Sequence, residues 1–259
     1  MKGRTAVVTG STSGIGAAMA AAFAAEGANI VINGLGDAAE IEKGRAALAS
    51  AHGVDVIYHG ANMTKPEEIE DLIRVAEKRF GSVDILVNNA GIQHTAPIED
   101  FPVDKWNAVI AINLSAAFHG MRAALPGMKK RGWGRIINVA SAHGLVASVN
   151  KSAYVAAKHG IVGLTKVAAL ENAQSGVTCN AICPGWVKTP LVVAQIEARA
   201  KANGTSVEDE TQALLLEKQP SGQFTTVEQL AGAAVFLCGD AGSNMTGTTV
   251  TLDGGWTAQ

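Results

Sequence analysis

Tyr154 and Lys158 carry the clearest chemical signal in the sequence. On a helix, residues four apart share one face, so the phenol and the ammonium group would be neighbours. A free tyrosine has a pKa of about 10, and a nearby cation favours the phenolate and lowers that value. Such a tyrosine could exchange a proton with an alcohol or a ketone, and Ser141 just upstream could hydrogen-bond the same oxygen. Taken alone, the pair favours an ordinary amphipathic helix with an exposed Tyr–Lys pair; Ser141 and the glycine turn upstream reverse that preference.

A glycine-rich turn near the N-terminus predicts a phosphate site. Residues 9–16 read T-G-S-T-S-G-I-G, follow a short apolar stretch and precede an alanine-rich helix. Glycine permits positive φ and close approach of the backbone to phosphate, and a helix N-terminus offers free N–H groups and partial positive charge. Together with a proton-exchanging tyrosine, the turn predicts hydride transfer with a bound dinucleotide. A purely structural glycine turn is the alternative.

Alternating strand-like and helix-like stretches must position these motifs. Near-continuous apolar stretches at 6–8 and 85–87 suit strands covered on both faces. Strands alternating with helices predict βαβ crossovers and a parallel sheet. We expect one domain over residues 1–259, an α/β Rossmann-like doubly wound parallel sheet of about seven strands with helices on both faces. Residues 186–222 break the rhythm and are predicted to form a substrate lid.

Two helix starts are predicted from capping pairs. Thr64 is followed three residues later by Glu67, with Pro66 in the first turn, and Thr226 is followed by Gln229. The predicted strands cover residues 5–8, 29–33, 54–59, 85–88, 135–139, 177–182 and 250–252. The predicted helices cover residues 14–26, 37–51, 64 onward, 103–130, 154–174 and 227–237.

Composition excludes several classes of protein. The chain has 259 residues, 47% of them hydrophobic, and a formal net charge of -2, which does not favour nucleic acid or anionic lipid as a partner. Three cysteines without framework spacing argue against a secreted disulfide scaffold, and scattered His and Cys predict no metal site. The N-terminus leads directly into a strand pattern without a signal peptide, so we expect a cytoplasmic protein without membrane segments.

The chain resembles the short-chain dehydrogenase/reductase family along its whole length. The carrying motifs are the T-G-x-x-x-G-x-G turn, N-N-A-G at 88–91, Y-x-x-x-K at 154–158 and Pro-Gly at 184–185 followed by Thr. The resemblance implies the catalytic group Asn113, Ser141, Tyr154 and Lys158, with Asn113 anchoring a water that links Lys158 to solvent. It implies cofactor contacts at Gly10, Thr12, Ser13, Gly14, Ile15, Gly16, Leu35, Asn62, Met63, Asn89, Ala90, Gly91, Tyr154, Lys158, Pro184, Gly185, Val187 and Thr189.

The residues expected near the adenosine ribose favour NAD over NADP. A 2′-phosphate would require Arg or Lys at the end of the second strand, residues 33–37, or at Ser13, and neither place has a cation. Two positions depart from the family pattern. Asn33 stands where NAD-using members often have an acidic residue, and Asn62 stands where an Asp commonly lies beside the adenine.

The side chains around the predicted catalytic group suit a small carboxylate. A lysine, a histidine and glutamines offer charge and hydrogen-bond donors, and two tryptophans could close a compact pocket. The segments 89–95, 141–147, 150–154 and 183–186 resemble the 3-hydroxybutyrate dehydrogenase branch of the family, which implies reversible oxidation of (R)-3-hydroxybutyrate to acetoacetate. The residues implied to bind substrate are Gln93, Ser141, His143, Lys151, Tyr154, Trp186, Gln195 and Trp256.

Alternatives remain at this level. Lys151 could be a solvated loop residue, and Gln195 could belong to the polar face of a lid helix. A related reductase of acyl thioesters or sugars would predict an NADPH preference and a basic docking patch. A non-catalytic NAD-binding regulator would typically lack one of the Tyr, Lys or Ser positions. The resemblance alone implies a homotetramer.

Overall fold

Seven parallel strands form one sheet at the centre of the protein. The computed structural model describes residues 1–258. The strands are β1 (Thr5–Val8), β2 (Asn29–Asn33), β3 (Val56–His59), β4 (Ile85–Asn88), β5 (Gly134–Val139), β6 (Val177–Pro184) and β7 (Thr249–Leu252). Their order across the sheet is β3-β2-β1-β4-β5-β6-β7, with every neighbouring pair parallel. The order reverses between β1 and β4, which is the switch point of a doubly wound sheet.

Helices cover both faces of this sheet, as the alternating pattern predicts. They are α1 (Gly14–Ala25), α2 (Ala38–His52), α3 (Pro66–Phe80), α4 (Val103–Ile110), α5 (Ala116–Arg131), α6 (Ser152–Glu171), α7 (Pro190–Asn203), α8 (Val207–Lys218) and α9 (Val227–Cys238). Alternate side chains of β1 enter opposite layers. Ala6 and Val8 pack in the layer of α1 and α9, whereas Val7 packs in the layer of α3 and α5. Burial of each of the two valine side chains stabilises the fold by about 1.5–3 kcal/mol.

The boundary between α4 and α5 is a π-helical turn, Ala111–Ser115, so the two helices form one continuous rod. By length and composition alone, Val103–Arg131 could cross a membrane. Here α5 instead contacts α3, β4 and β5, and its residues Ala124 and Met128 are fully buried. This is the packing of a helix that covers a sheet. The widened turn places Asn113 in the interior.

One predicted helix start is confirmed and the other is wrong. Thr226 and Gln229 form the expected capping box at α9. At α3 the N-cap is Lys65 rather than Thr64, because the Thr64 hydroxyl donates to Asn62 Oδ1 at 2.8 Å. The other element boundaries lie within about three residues of the predicted ones, the range in which helix and strand ends are ambiguous.

The predicted lid segment contains two helices outside the sheet. α7 and α8 pack on each other, and Val192, Ile196 and Leu214 form a small apolar cluster there with Trp186 and Phe224. This cluster is separate from the two main cores, so the segment has its own packing unit.

A buried carboxylate joins the end of α7 to α8. Glu210 is 5% exposed and accepts hydrogen bonds from Asn203 Nδ2 at 2.6 Å, Thr205 Oγ1 at 3.0 Å and Arg199 Nε at 3.1 Å. These donors, with Asn203 the strongest, lower the pKa of the Glu210 carboxyl group. The turn between the two helices is therefore held by a charged network rather than by apolar packing.

Candidate active site

A cavity of about 540 Å³ opens at the carboxyl ends of the central strands, where doubly wound sheets bind ligands. It brings the glycine turn and the Tyr–Lys pair together. Of the predicted cofactor contacts it is lined by Gly10, Thr12, Ser13, Gly14, Ile15, Leu35, Asn89, Ala90, Gly91, Tyr154, Lys158, Pro184, Gly185, Val187 and Thr189. Of the predicted substrate contacts it is lined by Gln93, Ser141, His143, Lys151, Tyr154, Trp186 and Trp256.

The glycine turn leaves the first N–H groups of α1 available. Ser13 is the N-cap residue but its side chain makes no capping hydrogen bond, and the first turn has no acidic residue. Gly14 has φ +58, and a Cβ there would meet only Thr189 Cγ2 at 3.9 Å, whereas a Cβ at Gly16 would lie 2.4 Å from the Gly10 carbonyl oxygen. Gly16 therefore packs the turn against the sheet without lining the cavity. Uncapped N–H groups beside open space fit a pyrophosphate.

The end of β2 is built differently from what the sequence suggested. Asn33 is 1% exposed, and its side chain donates to the carbonyls of His59 and Ala61 and accepts from Gly10 N–H at 3.3 Å. Its amide thus joins the ends of three strands and is not free for a ribose. The cavity rim here is formed by Gly34 and by Leu35, which is 78% exposed.

Asn62 and Met63 do not line this cavity. Asn62 Oδ1 accepts from the Thr64 backbone and hydroxyl, and Met63 is buried in the core between the sheet and α3. The side-chain oxygen predicted to meet the adenine is therefore used inside a local turn. For these two residues the contact remains a prediction without support from the geometry.

Lys158 lies in the interior, at the base of the cavity. Its side chain is 4% exposed, and Nζ donates to the Val139 carbonyl at 2.7 Å. Burial lowers the Lys158 pKa to about 8. Sequence reasoning missed the Val139 carbonyl because a backbone acceptor leaves no mark in residue types.

Tyr154 faces Lys158, whose Nζ lies 5.5 Å from the phenol ring centroid. Burial raises the Tyr154 pKa, and hydrogen bonding with Ser141 opposes that rise. For the chain alone, the expected lowering of the Tyr154 pKa is wrong in direction, because loss of water around the phenol outweighs the hydrogen bond with Ser141. A positive charge bound in the cavity would lower the Tyr154 pKa, because it favours the phenolate.

Ser141 and Asn113 complete the predicted group in different ways. Ser141 is 8% exposed at the end of β5, and its Oγ accepts from the His143 N–H at 3.2 Å. Asn113 does not line the main cavity. Its amide pairs with the Ile92 backbone N–H and carbonyl, both at 2.9 Å. A void of about 10 Å³, near the size of one water, lies beside Asn113 and Val139.

Aromatic rings and a cation form the wall opposite the glycine turn. The Trp186 and Trp256 rings lie 5.7 Å apart, and Lys151 Nζ is 5.2 Å from the Trp186 centroid. Burial lowers the Lys151 pKa, and the Glu217 carboxylate opposes that effect. The residue before it, Asn150, has φ 64, a left-handed conformation that directs the chain at this point.

His143 is a neutral group in this wall. Burial and then the Lys151 cation lower its pKa to about 4. Its Nε2 lies 2.9 Å from Ser148 Oγ, and its ring meets Trp256 edge-on at 5.0 Å. His143 therefore offers hydrogen bonding rather than charge at neutral pH. Ser148, its partner, is a residue that sequence reasoning missed.

A second cleft of about 700 Å³, here the outer cleft, lies on the far side of the same wall. Gln93, Lys151 and Trp186 line both spaces, whereas Gln195 lines only the outer cleft. The structure thus brings all predicted substrate residues but Gln195 to the main cavity. Gln195 lies on α7, so movement of that helix would be needed to bring it in.

Comparison with known proteins adds an independent result. Residues 10–257 match a family model described as enoyl-(acyl carrier protein) reductase. The chain is 62% identical over 260 residues to the D-beta-hydroxybutyrate dehydrogenase of Cupriavidus necator, with 100% of each chain covered. It is 57% identical to the D-beta-hydroxybutyrate dehydrogenase of Rhizobium meliloti, with 99% of each covered. It is 39% identical to 3beta-hydroxysteroid dehydrogenase 1 of Eggerthella lenta, over 99% of this chain and 95% of that protein.

Proposed function

The chain belongs to the short-chain dehydrogenase/reductase family, and we propose that it oxidises (R)-3-hydroxybutyrate reversibly to acetoacetate with NAD. The observation that carries the substrate is Lys151, a partly buried cation that lines the same cavity as Tyr154 and Ser141. Glu217 acts on this partly buried ammonium group from the outer cleft, but the described residues that line the main cavity include no carboxylate, so the cation suits an anionic ligand there. The two tryptophans limit the space to a short chain.

Proton transfer falls to Tyr154. In the oxidation direction its oxygen accepts the proton of the substrate hydroxyl while Ser141 Oγ hydrogen-bonds the same substrate oxygen. Lys158 stabilises the phenolate that begins this step, since its ammonium group faces the ring across 5.5 Å. A bound nicotinamide cofactor supplies the hydride acceptor. In the reduction direction Tyr154 returns the proton to the carbonyl oxygen.

The cavity supports NAD rather than NADP. Among the residues that line it, the cations are Lys151 and Lys158, and both lie at the catalytic end. Asp37, just after β2, caps α2 by accepting from two backbone N–H groups, so a negative charge lies near the expected ribose position. A 2′-phosphate would meet no cation and one carboxylate there.

Lys158 and Lys151 argue against the rival functions. A non-catalytic regulator needs no buried Lys158 beneath Tyr154, and burial of that ammonium group is costly. A thioester substrate carries no carboxylate for Lys151. We propose in addition that the enzyme is a cytoplasmic homotetramer in which α7 and α8 form the lid over the substrate.

Activity measurements test these proposals directly. Purified protein is given NAD or NADP with (R)-3-hydroxybutyrate, its (S) enantiomer or (R)-3-hydroxybutyramide, and formation of reduced cofactor is recorded. We expect the (R) acid to be oxidised with NAD but not with NADP, the (S) enantiomer not to be oxidised, and the amide to be oxidised measurably but much more slowly. Lys151→Met should lower kcat/KM for the acid by at least about 30-fold and affect the amide much less. Lys166→Met, an exposed lysine on α6, is the matched control. Equal losses for acid and amide would show that Lys151 does not bind a carboxylate.

A further inference from the structure

A buried glutamine lies at the end of the lid, directly behind the two tryptophans. Gln219 follows α8 and is 1% exposed. Its Oε1 accepts from the Trp186 backbone N–H at 2.8 Å, and its Nε2 donates to the Gln223 carbonyl. Both ends of the amide are therefore used by backbone, in a place where an unpaired polar group would be costly.

Two glycines make room for this side chain. A Cβ at Gly185 would lie 2.5 Å from Gln219 Oε1, and a Cβ at Gly254 would lie 2.5 Å from Gln219 Cγ. Real Cβ atoms do not approach so closely, so neither position tolerates another residue without movement. Gly185 precedes Trp186, and Gly254 belongs to the loop that leads to Trp256. Gln219 thus fills the gap between the two segments that carry the pocket tryptophans.

The indole of Trp186 depends on this backbone support. Its Nε1 is buried and has no hydrogen-bond partner among the described residues, so no side-chain hydrogen bond fixes the ring. The main chain is held instead on both sides of the residue, at the N–H by Gln219 and at the carbonyl by the Thr225 N–H at 2.9 Å. The position of the ring follows from these two bonds and from packing.

We propose that Gln219 is a positioning residue for substrate binding. Gln219 fixes the backbone positions of Trp186 and Trp256 relative to Lys151. It also joins the end of α8 to the segments that carry these two tryptophans. This inference rests on the proposed function only for the identity of the substrate. The alternative is that Gln219 only ends α8. The main-chain bond from the Gln219 N–H to the Leu215 carbonyl, at 2.7 Å, already does this without the side chain. A change of the side chain would then affect the stability of the protein and leave substrate binding unchanged.

The kinetic test separates these two roles. Gln219→Met keeps the length of the side chain and removes both hydrogen bonds. We expect KM for the hydroxy acid to rise about tenfold, because small displacements of binding groups weaken binding by such factors. We expect kcat to change less than about threefold and the Kd for NADH, measured without substrate, less than about twofold. Gln229→Met removes a comparable side-chain bond at the exposed start of α9 and should leave KM unchanged.

A second measurement does not depend on the substrate. Hydrogen–deuterium exchange at the Trp186 amide should accelerate in Gln219→Met and not in Gln229→Met, because its acceptor is lost. If Gln219→Met does not fold, Gln219→Asn takes its place, since its shorter amide cannot make both bonds. Faster exchange with a raised KM supports the proposal. Unchanged exchange, or equal changes in KM and in the Kd for NADH, overturns it. If the wild-type protein does not turn over the acid, the proposed substrate fails, and the exchange result still decides whether Gln219 holds the Trp186 backbone.

Discussion

Replacing Lys158 by Met should abolish catalysis and at the same time stabilise the protein at neutral pH. The Lys158 ammonium group is buried beneath Tyr154, and burial holds its pKa at about 8 instead of 10.5. The folded protein therefore carries a charge that water would solvate better. Methionine has a similar length and no charge, so it removes this cost.

The size of the effect follows from the pKa. A pKa of about 8 instead of 10.5 corresponds to about 3 kcal/mol of unfavourable free energy in the folded state at pH 7. The variant loses the hydrogen bond to the Val139 carbonyl, which costs about 1–2 kcal/mol. We expect a net gain in the free energy of unfolding of about 1–2 kcal/mol.

The lowered Lys158 pKa also predicts how the stability difference between wild type and variant changes with pH. Below pH 8, Lys158 is charged in both the folded and the unfolded protein, and the full cost applies. Between about pH 8 and 10.5 the folded protein releases the proton while the unfolded chain keeps it, so wild-type stability rises relative to the variant. The advantage of the variant should shrink by about 3 kcal/mol over this interval and end as a disadvantage.

Urea unfolding of the protein without cofactor, followed from pH 6 to pH 10, measures this difference. Lys166→Met on the exposed side of α6 should change stability by less than about 0.5 kcal/mol at any pH. The reasoning is refuted if Lys158→Met is less stable than wild type at pH 7 and the difference does not vary with pH. Loss of activity without that pH dependence would mean that the ammonium group is paired in the folded protein.

Three further substitutions test other parts of the structure. Gly16→Ala should destabilise the protein by about 1–3 kcal/mol and raise the Kd for NADH at least about tenfold, because the new Cβ would lie 2.4 Å from the Gly10 carbonyl oxygen; thermal unfolding and a fluorescence titration measure both. Asn150→Val should cost about 1–2 kcal/mol and raise KM for the acid, whereas Asn150→Gly should be close to neutral in stability, because φ is 64 there; equal behaviour of the two variants would contradict this. Glu210→Gln should speed proteolytic cleavage within residues 190–218, with exposed Glu208→Gln as the control. Since the Glu210 pKa is lowered, the same loosening should appear in the wild type only as pH falls below the ordinary carboxyl range, and cleavage that is independent of pH would argue against it.

The fold could be predicted because its signals are local. Apolar stretches such as Ala6–Val8 and the helices between them determine a parallel sheet, and the glycine turn fixes where the first crossover begins. The capping box at Thr226 depends only on neighbours and is confirmed. The one at Thr64 is wrong, because Asn62 competes for the same hydroxyl. A capping pair in the sequence is thus reliable only when no other nearby side chain can form a hydrogen bond with the capping hydroxyl.

The site was predictable at the level of residue types and not at the level of partners. The spacing of Tyr154 and Lys158 indicates a shared face, but the extent to which burial perturbs both pKa values depends on the whole sheet. Asn33 illustrates the same limit, since its amide bonds backbone groups at the ends of β3 and β1, which lie more than 20 residues away in the chain. Gln219 had no signal in the sequence, because its partners are main-chain groups.

The tryptophans are divided between two kinds of surroundings, and this gives the protein a built-in optical probe. Trp186 and Trp256 lie against each other at a tilt in the cavity wall beside Lys151 and His143, whereas Trp133 contacts two arginines and Trp106 is 38% exposed on α4. Reduced nicotinamide absorbs light in the range where tryptophan emits. Emission from Trp186 and Trp256 should therefore be transferred to a reduced cofactor in the cavity, and binding of the cofactor can be followed in real time without any attached label.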